Sequence, residues 1–299
     1  MDNPSTKYSF ASQHYSHYPA SMTQNSNITL DTTRKVSMSR RKLLSGLASG
    51  SVVAFAAPLT ACSTNPNTGR SQLILVSDDQ LAQMGTTTWQ TMLTDTPVQE
   101  ADSELTDALR GIGNRIVEAA GPSLPPADWE YRVFNDEQLN AFAMPGGKVG
   151  FYQGILDLMD NESQVATVMG HEVSHIAGRH SAERYSQTIA ANTALTATSI
   201  ALNAGEVRFQ QQIAAVLGVG VQFGVLLPYQ RRQELEADRL GLRYMAKAGF
   251  DPRESVKFWE KMMARNADRE KPPEFLSTHP SDETRIRVLE EEIALIEAA

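Results

Sequence analysis

Apolar residues recur at three- and four-residue intervals from Ser77 to Thr94 and again from Asp102 to Ala120. That spacing lines one face of a helix, so both stretches are expected to be amphipathic helices. Asp102 or Ser103 is the expected cap of the second. Gly121-Pro122-Ser123-Leu124-Pro125-Pro126 then breaks the pattern. From Trp129 to Phe134 the period becomes two, which predicts a strand. Ala141–Met144 and Lys148–Tyr152 flank Pro145-Gly146-Gly147, the signature of a hairpin or turn between strands. Asp251-Pro252 opens a further helix to about Asn266, with Phe258, Trp259, Met262 and Met263 expected in the core. Lys271-Pro272-Pro273 closes that helix, and Ser281 to Ala298 reads as a final amphipathic helix.

The helix that matters most begins at Glu162, behind Asn161 as a candidate cap. Ala166 and Gly170 are small and permit close packing. The helix then runs into His171-Glu172-Val173-Ser174-His175. Two histidines four positions apart project from one helical face and can grip one zinc ion. Glu172 between them lies beside the open coordination position. A carboxylate there can take a proton from water and hand it to a leaving amine, the work of peptide-bond hydrolysis.

Zinc hydrolases hold the metal with three protein ligands, so a third is expected on another element. Arg231-Arg232-Gln233-Glu234-Leu235-Glu236-Ala237-Asp238-Arg239 is the best source. Glu234 and Asp238 share a helix face, so one can bind metal while the other orients a ligand histidine. Glu236 lies about 200° around from Glu234 on an ideal helix and is expected to face elsewhere.

The pairing of HEVSH with ELEAD resembles the gluzincin-type HExxH zinc metallopeptidases that include HtpX, the CAAX-prenyl endopeptidases, mitochondrial Oma, and the bacterial lipoproteins BepA and LoiP. Asn140-Ala141-Phe142-Ala143-Met144-Pro145-Gly146-Gly147, Thr278-His279-Pro280 and the following Arg285 extend the likeness, which runs from about Asn65 to the C-terminus. It implies Glu234 as third ligand beside His171 and His175, one zinc per chain, and Asp238 as the residue that orients His171. It also implies an active-site role for His279 and Arg285. They either donate hydrogen bonds to the oxyanion, or His279 moves onto the metal and holds the enzyme inactive.

Leader features change the picture of where this body works. Ser39-Arg40-Arg41-Lys42 precedes an apolar run from Leu43 to Ala61, broken by Ser and Gly, which reads as a signal-peptide core. Both Tat and ordinary secretion fit its twin arginine. Leu59-Thr60-Ala61-Cys62 resembles a lipobox, and Cys62 is the only cysteine. Lipidation at Cys62 is therefore expected, with residues 63–72 as a polar tether and no disulfide available. By resemblance to sorted lipoproteins of two-membrane bacteria, Ser63 in place of aspartate implies the outer membrane. Residues before Met38 look disordered, and Met38 is the expected translation start. Residues 1–61 hold six basic and two acidic side chains, so residues 62–299 carry 21 basic against 33 acidic, a net of −12. That charge argues against nucleic-acid binding.

Two further expectations concern substrate and membrane. The sheet edge beside Gly147, Lys148 and Val149 is a candidate for holding an extended peptide next to the zinc. Ser186–Gly205 and Ile213–Leu227 are expected as a helical pair over the active-site helix, because fifteen apolar residues are too few to span a bilayer. The combined expectation is an α+β, mainly helical metallopeptidase domain over 73–299, facing the periplasm and acting on unfolded or misassembled envelope polypeptides. A chaperone-like lipoprotein with purely structural zinc is the principal competitor, and an integral membrane peptidase the third reading.

Overall fold

The computed structural model describes residues 62–204, 227–266, 279 and 283–299. The expected leader and signal peptide, most of the helix at 213–227, and the break at 271–273 lie outside the described residues. Among the described residues no helix is long and apolar enough to cross a membrane.

Helix α1 (Asp78–Asp95) starts at Ser77, whose hydroxyl accepts the Gln80 N–H while the Gln80 side chain returns to the Ser77 N–H. This reciprocal pair satisfies two donors that the first turn cannot bond internally. Helix α2 (Glu104–Ala120) is capped by Ser103 and buries Leu109, Ile112 and Ile116. Strands β3 (Glu130–Phe134), β4 (Ala141–Met144) and β5 (Lys148–Tyr152) follow, then the short α3 (Gln153–Leu156). Strands β4 and β5 pair antiparallel, as the Pro145-Gly146-Gly147 turn predicts. Gly146 and Gly147 have φ of 90° and 81°, values that favour glycine.

The sheet order is β3-β5-β4, with β3 parallel to β5. This corrects the substrate-edge expectation. Lys148 and Val149 lie on the middle strand with partners on both sides, and the Gly147 carbonyl accepts the Glu130 N–H. Lys148 is itself buried, with Nζ donating to the Asp128 carbonyl at 2.8 Å. The open edge beside the histidine helix belongs instead to β4.

Helix α4 (Glu162–Ala177) carries the histidines and is the centre of the fold. Asn161 caps it by accepting the Gln164 N–H. Every residue from Ala166 to Ala177 is buried, because α2, β4, α6 (Leu227–Lys247) and α7 (Arg253–Asn266) surround it. The core about it holds Val133, Phe151, Val168, Met169, Val173, Met245, Phe258 and Trp259. Burying each Phe or Met there contributes about 1.5–3 kcal/mol. Helix α8 (Glu283–Glu297) closes the core over α6 and α7.

Residues 63–72, expected as a tether, are folded. Strands β1 (Cys62–Thr64) and β2 (Ser71–Leu73) pair antiparallel, and Asn65 and Gln72 are buried. The Asn65 and Asn67 amides both donate to the Ala177 carbonyl, at 3.1 and 2.9 Å, and Gln72 donates to the Gly178 carbonyl at 2.7 Å. These amides supply donors for carbonyls that the last turn of α4 leaves unpaired. The chain turns through Gly178 and Arg179, the latter at φ 53°, and resumes as α5 (His180–Ala204). That helix accounts for the first member of the expected pair.

Candidate metal centre

Four side chains from three separate parts of the chain converge beside α4. The Nε2 atoms of His171 and His175 are 3.1 Å apart. Glu234, from α6, places Oε2 3.2 Å from His171 Nε2 and Oε1 3.6 Å from His175 Nε2. His279 places Nδ1 2.8 Å from Glu234 Oε2 and 3.1 Å from His171 Nε2. All four side chains are buried, and one donor atom from each lies within 4.8 Å of the others. Donors at about 2.0–2.1 Å around one tetrahedral zinc are separated by about 3.3 Å, so the observed spacings suit such an ion.

Electrostatics prepare two of the donors, His175 and Glu234, for a cation. Burial drives the His175 imidazole well below its ordinary pKa, which keeps it neutral and leaves a lone pair available. Burial opposes ionisation of Glu234, but His279, His175 and His171 outweigh it and hold the carboxyl well below its usual range. The arrangement is thus an ionised carboxylate among imidazoles.

Glu172 sits at the rim of this group. Its Oε2 accepts the Ala143 N–H of β4 at 3.2 Å, while Oε1 is buried with no hydrogen-bond partner among the described residues. Oε1 lies 3.5 Å from His279 Nε2. A buried carboxylate oxygen without a donor is costly and signals a missing group. A water presented to the donor cluster would supply one.

Asp238 stands one turn beyond Glu234 with Oδ1 2.9 Å from His171 Nδ1, an atom that Arg285 Nη2 also approaches at 2.9 Å; with its hydrogen on Nδ1, His171 donates to Asp238 and turns Nε2 into the cluster. Arg285 grips the same carboxylate, with Nε to Oδ2 and Nη2 to Oδ1 both at 2.6 Å. Its guanidinium lies 3.5 Å over the Trp259 ring, and Trp259 meets His171 edge-on. Burial works against ionisation of Asp238, but the Arg285 charge and the His171 hydrogen bond prevail and keep its carboxyl below the usual range. The fork of Arg285 is engaged with Asp238, a contact that holds this carboxylate against His171.

The sequence-derived set of His171, His175, Glu172, Glu234, Asp238, His279 and Arg285 therefore converges on one place. Gly147, Lys148 and Val149 do not join it. Cys62 is exposed at the start of β1. Glu236 faces away from the cluster, as its helical phase predicts, toward Arg70 and His180. Sequence reasoning missed the Ala143 N–H and His180, whose Nδ1 lies 2.9 Å from His175 Nδ1. The one local signal for the latter was a third histidine five positions after His175.

The model of peptidase family M48 matches residues 103–293, a span that contains every residue of the cluster. Mitochondrial metalloendopeptidase OMA1 of Schizosaccharomyces pombe is 38% identical over 179 residues, covering 59% of this chain and 50% of that protein. The β-barrel assembly-enhancing protease of Escherichia coli is 31% identical over 256 residues, covering 83% of this chain and 51% of that protein. OMA1 of Saccharomyces cerevisiae is 34% identical over 241 residues, covering 74% of this chain and 66% of that protein. The chain thus spans about half the length of the first two relatives. With the model matched over more than half of its length and the donor cluster inside the matched span, this chain belongs to peptidase family M48.

Proposed function

We propose that this chain is a zinc-dependent endopeptidase that cleaves misfolded or stalled cell-envelope proteins. It is anchored by lipid at Cys62, faces the periplasm and works at the outer membrane. The observation that carries the catalytic reading is Glu172 Oε1, buried beside four metal-capable donors with no hydrogen-bond partner among the described residues and only the 3.5 Å approach of His279 Nε2. A structural site has no use for that carboxylate. His171, His175 and Glu234 would hold the zinc, which when bound would supply Lewis acidity and a water nucleophile at neutral pH. Glu172, oriented by the Ala143 N–H, takes the proton at Oε1 and delivers it to the leaving nitrogen. The open edge of β4 orients an extended substrate by main-chain hydrogen bonds, with little demand on its sequence. The envelope setting is supported by the lipobox-like run before Cys62 and by the name of the E. coli relative.

His279 completes a four-donor set, and a tetrahedral zinc bound by all four would have no position for a water ligand until His279 moved away. We read this as a latent state in which His279 must withdraw before substrate enters. The same observation favours the competing reading, a zinc-stabilised chaperone-like protein without turnover. Metal analysis combined with casein digestion separates them. One zinc per chain, cleavage by the parent protein and none by Glu172→Gln support the peptidase. Bound zinc without cleavage by either the parent or His279→Ala supports the chaperone.

A further inference from the structure

We propose that His180, Glu236 and Arg70 form a positioning relay that sets the ring of His175 for metal binding, which makes the β1–β2 hairpin a working part of the metal site. This rests on the reading of His175 as a ligand.

The argument follows the protons. His175 turns Nε2 toward the donor cluster, so in the neutral ring Nδ1 must carry the hydrogen and needs an acceptor. The atom facing it is His180 Nδ1, at 2.9 Å. Accepting there obliges His180 to carry its own hydrogen on Nε2, which lies 3.1 Å from Glu236 Oε2. The chain of donors ends on a carboxylate, which only accepts. One tautomer of each ring satisfies every contact; switching His175 alone would set acceptor against acceptor, and switching His180 alone would set donor against donor.

The far end of the relay is as firmly built. Arg70, in the loop between β1 and β2, donates to Glu236 through Nε at 2.7 Å and Nη2 at 3.0 Å. It also forks onto Glu183 at 2.5 and 2.6 Å. Glu183 accepts in addition from Gln233 of α6 and Gln72 of β2. His180, Glu183, Gln72 and Gln233 are at most 1% exposed. Gly178 makes room for this, since a Cβ there would fall 2.4 Å from His180 Nε2. One guanidinium between two carboxylates leaves a net negative charge behind His175. A cation on the other side of the ring balances it.

His171 is oriented by a direct carboxylate, Asp238, whereas His175 reaches its carboxylate through a second imidazole. The two ligands are thereby tied to different regions, His171 to α8 through Arg285 and His175 to the N-terminal hairpin through Arg70.

The test compares the full mature chain with His180→Phe, Glu236→Gln and His180→Asn, the last retaining an acceptor for His175. Zinc affinity is read by competition with a chromophoric chelator, the ligand field by the visible spectrum of the cobalt-substituted protein, and fold by thermal unfolding of the metal-free forms. His180→Phe and Glu236→Gln are expected to weaken zinc binding by about 10- to 100-fold and shift the cobalt bands, with partial recovery in His180→Asn. Variants that melt lower without metal yet bind zinc as tightly, with the parent's cobalt spectrum, would make the network a structural staple and overturn the relay. If His180→Phe fails to fold, Glu236→Gln carries the same comparison. A parent protein that takes up no zinc overturns the ligand reading itself and the relay with it.

Discussion

Gly170 on α4 and Gly241 on α6 hold their helices backbone to backbone. A Cβ built on Gly241 would lie 2.9 Å from the His171 N, and one on Gly170 would lie 2.9 Å from the Gly241 carbonyl oxygen. This contact sets the distance between the helix that carries His171 and His175 and the one that carries Glu234 and Asp238. Gly241→Ala must push the two apart. The expected result is a stability loss of about 1–3 kcal/mol from overpacking, together with weaker zinc binding. Denaturant titration and chelator competition on the same preparation check both, and tight zinc binding in that variant would show the donor set to be less dependent on the contact.

Glu172→Gln keeps the side chain's shape and its contact with the Ala143 N–H while removing the proton acceptor. Zinc content should stay at one per chain, and casein cleavage should fall by about 10²- to 10⁴-fold. Turnover near the parent rate would remove Glu172 from the chemistry.

His279→Ala separates the two roles open to that histidine. If His279 blocks the metal's open position, its removal should raise basal proteolysis by about fivefold or more, the ordinary range of a coupled two-state contact. An oxyanion donor would give the opposite sign. Initial rates at saturating zinc decide it.

Asp238 and Arg285 form a buried ion pair, and losing one partner strands a charge in the core. Asp238→Ala or Arg285→Met should each cost about 3–5 kcal/mol in metal-free protein, measured by urea unfolding. Arg285→Lys should recover little, because an ammonium cannot reproduce two parallel bonds to one carboxylate or lie flat on Trp259.

Acid sensitivity has one specific source in Glu254. Lys257, then Asn161 and Gln164, hold its pKa down from 4.5 to about 2, and it ties the start of α7 to the start of α4. A carboxyl depressed in the folded state contributes stability above its unfolded pKa, and that contribution is lost as pH falls through the folded one. Between pH 5 and 2 the parent should therefore lose more stability than Glu254→Gln does. Parallel acid limbs in the two proteins would exclude this site as a contributor.

Local signals carried the site well. Asn161 before a helical run, two histidines four apart, and Glu234 and Asp238 on one face of a second helix are all short-range patterns, and each stands where its spacing predicts. Ala166 and Gly170 were legible as small positions, but nothing in the run around Gly241 marked it as their counterpart. What escaped depends on distant partners. Strand β3 lies parallel to β5, a pairing that alternation along either strand does not encode. Arg70 reaches Glu183 and Glu236 across 113 and 166 positions. Asn65-Pro66-Asn67-Thr68-Gly69 has the composition of a linker and of a tight turn alike, and Asn65, Asn67 and Gln72 make it the latter by docking on the end of α4.

That docking would restrict how far the chain could range from the lipid anchor proposed at Cys62. Cys62 stands three positions before Asn65, whose amide is fixed to Ala177. A fully extended chain covers at most about 3.3–3.6 Å per residue, so an anchor at Cys62 stays within roughly 11 Å of Asn65. Were Cys62 lipidated as proposed, the chain would have no slack to sweep the space above the bilayer. It would act as a fixed blade at the membrane surface, and only chains delivered to that surface would be cut.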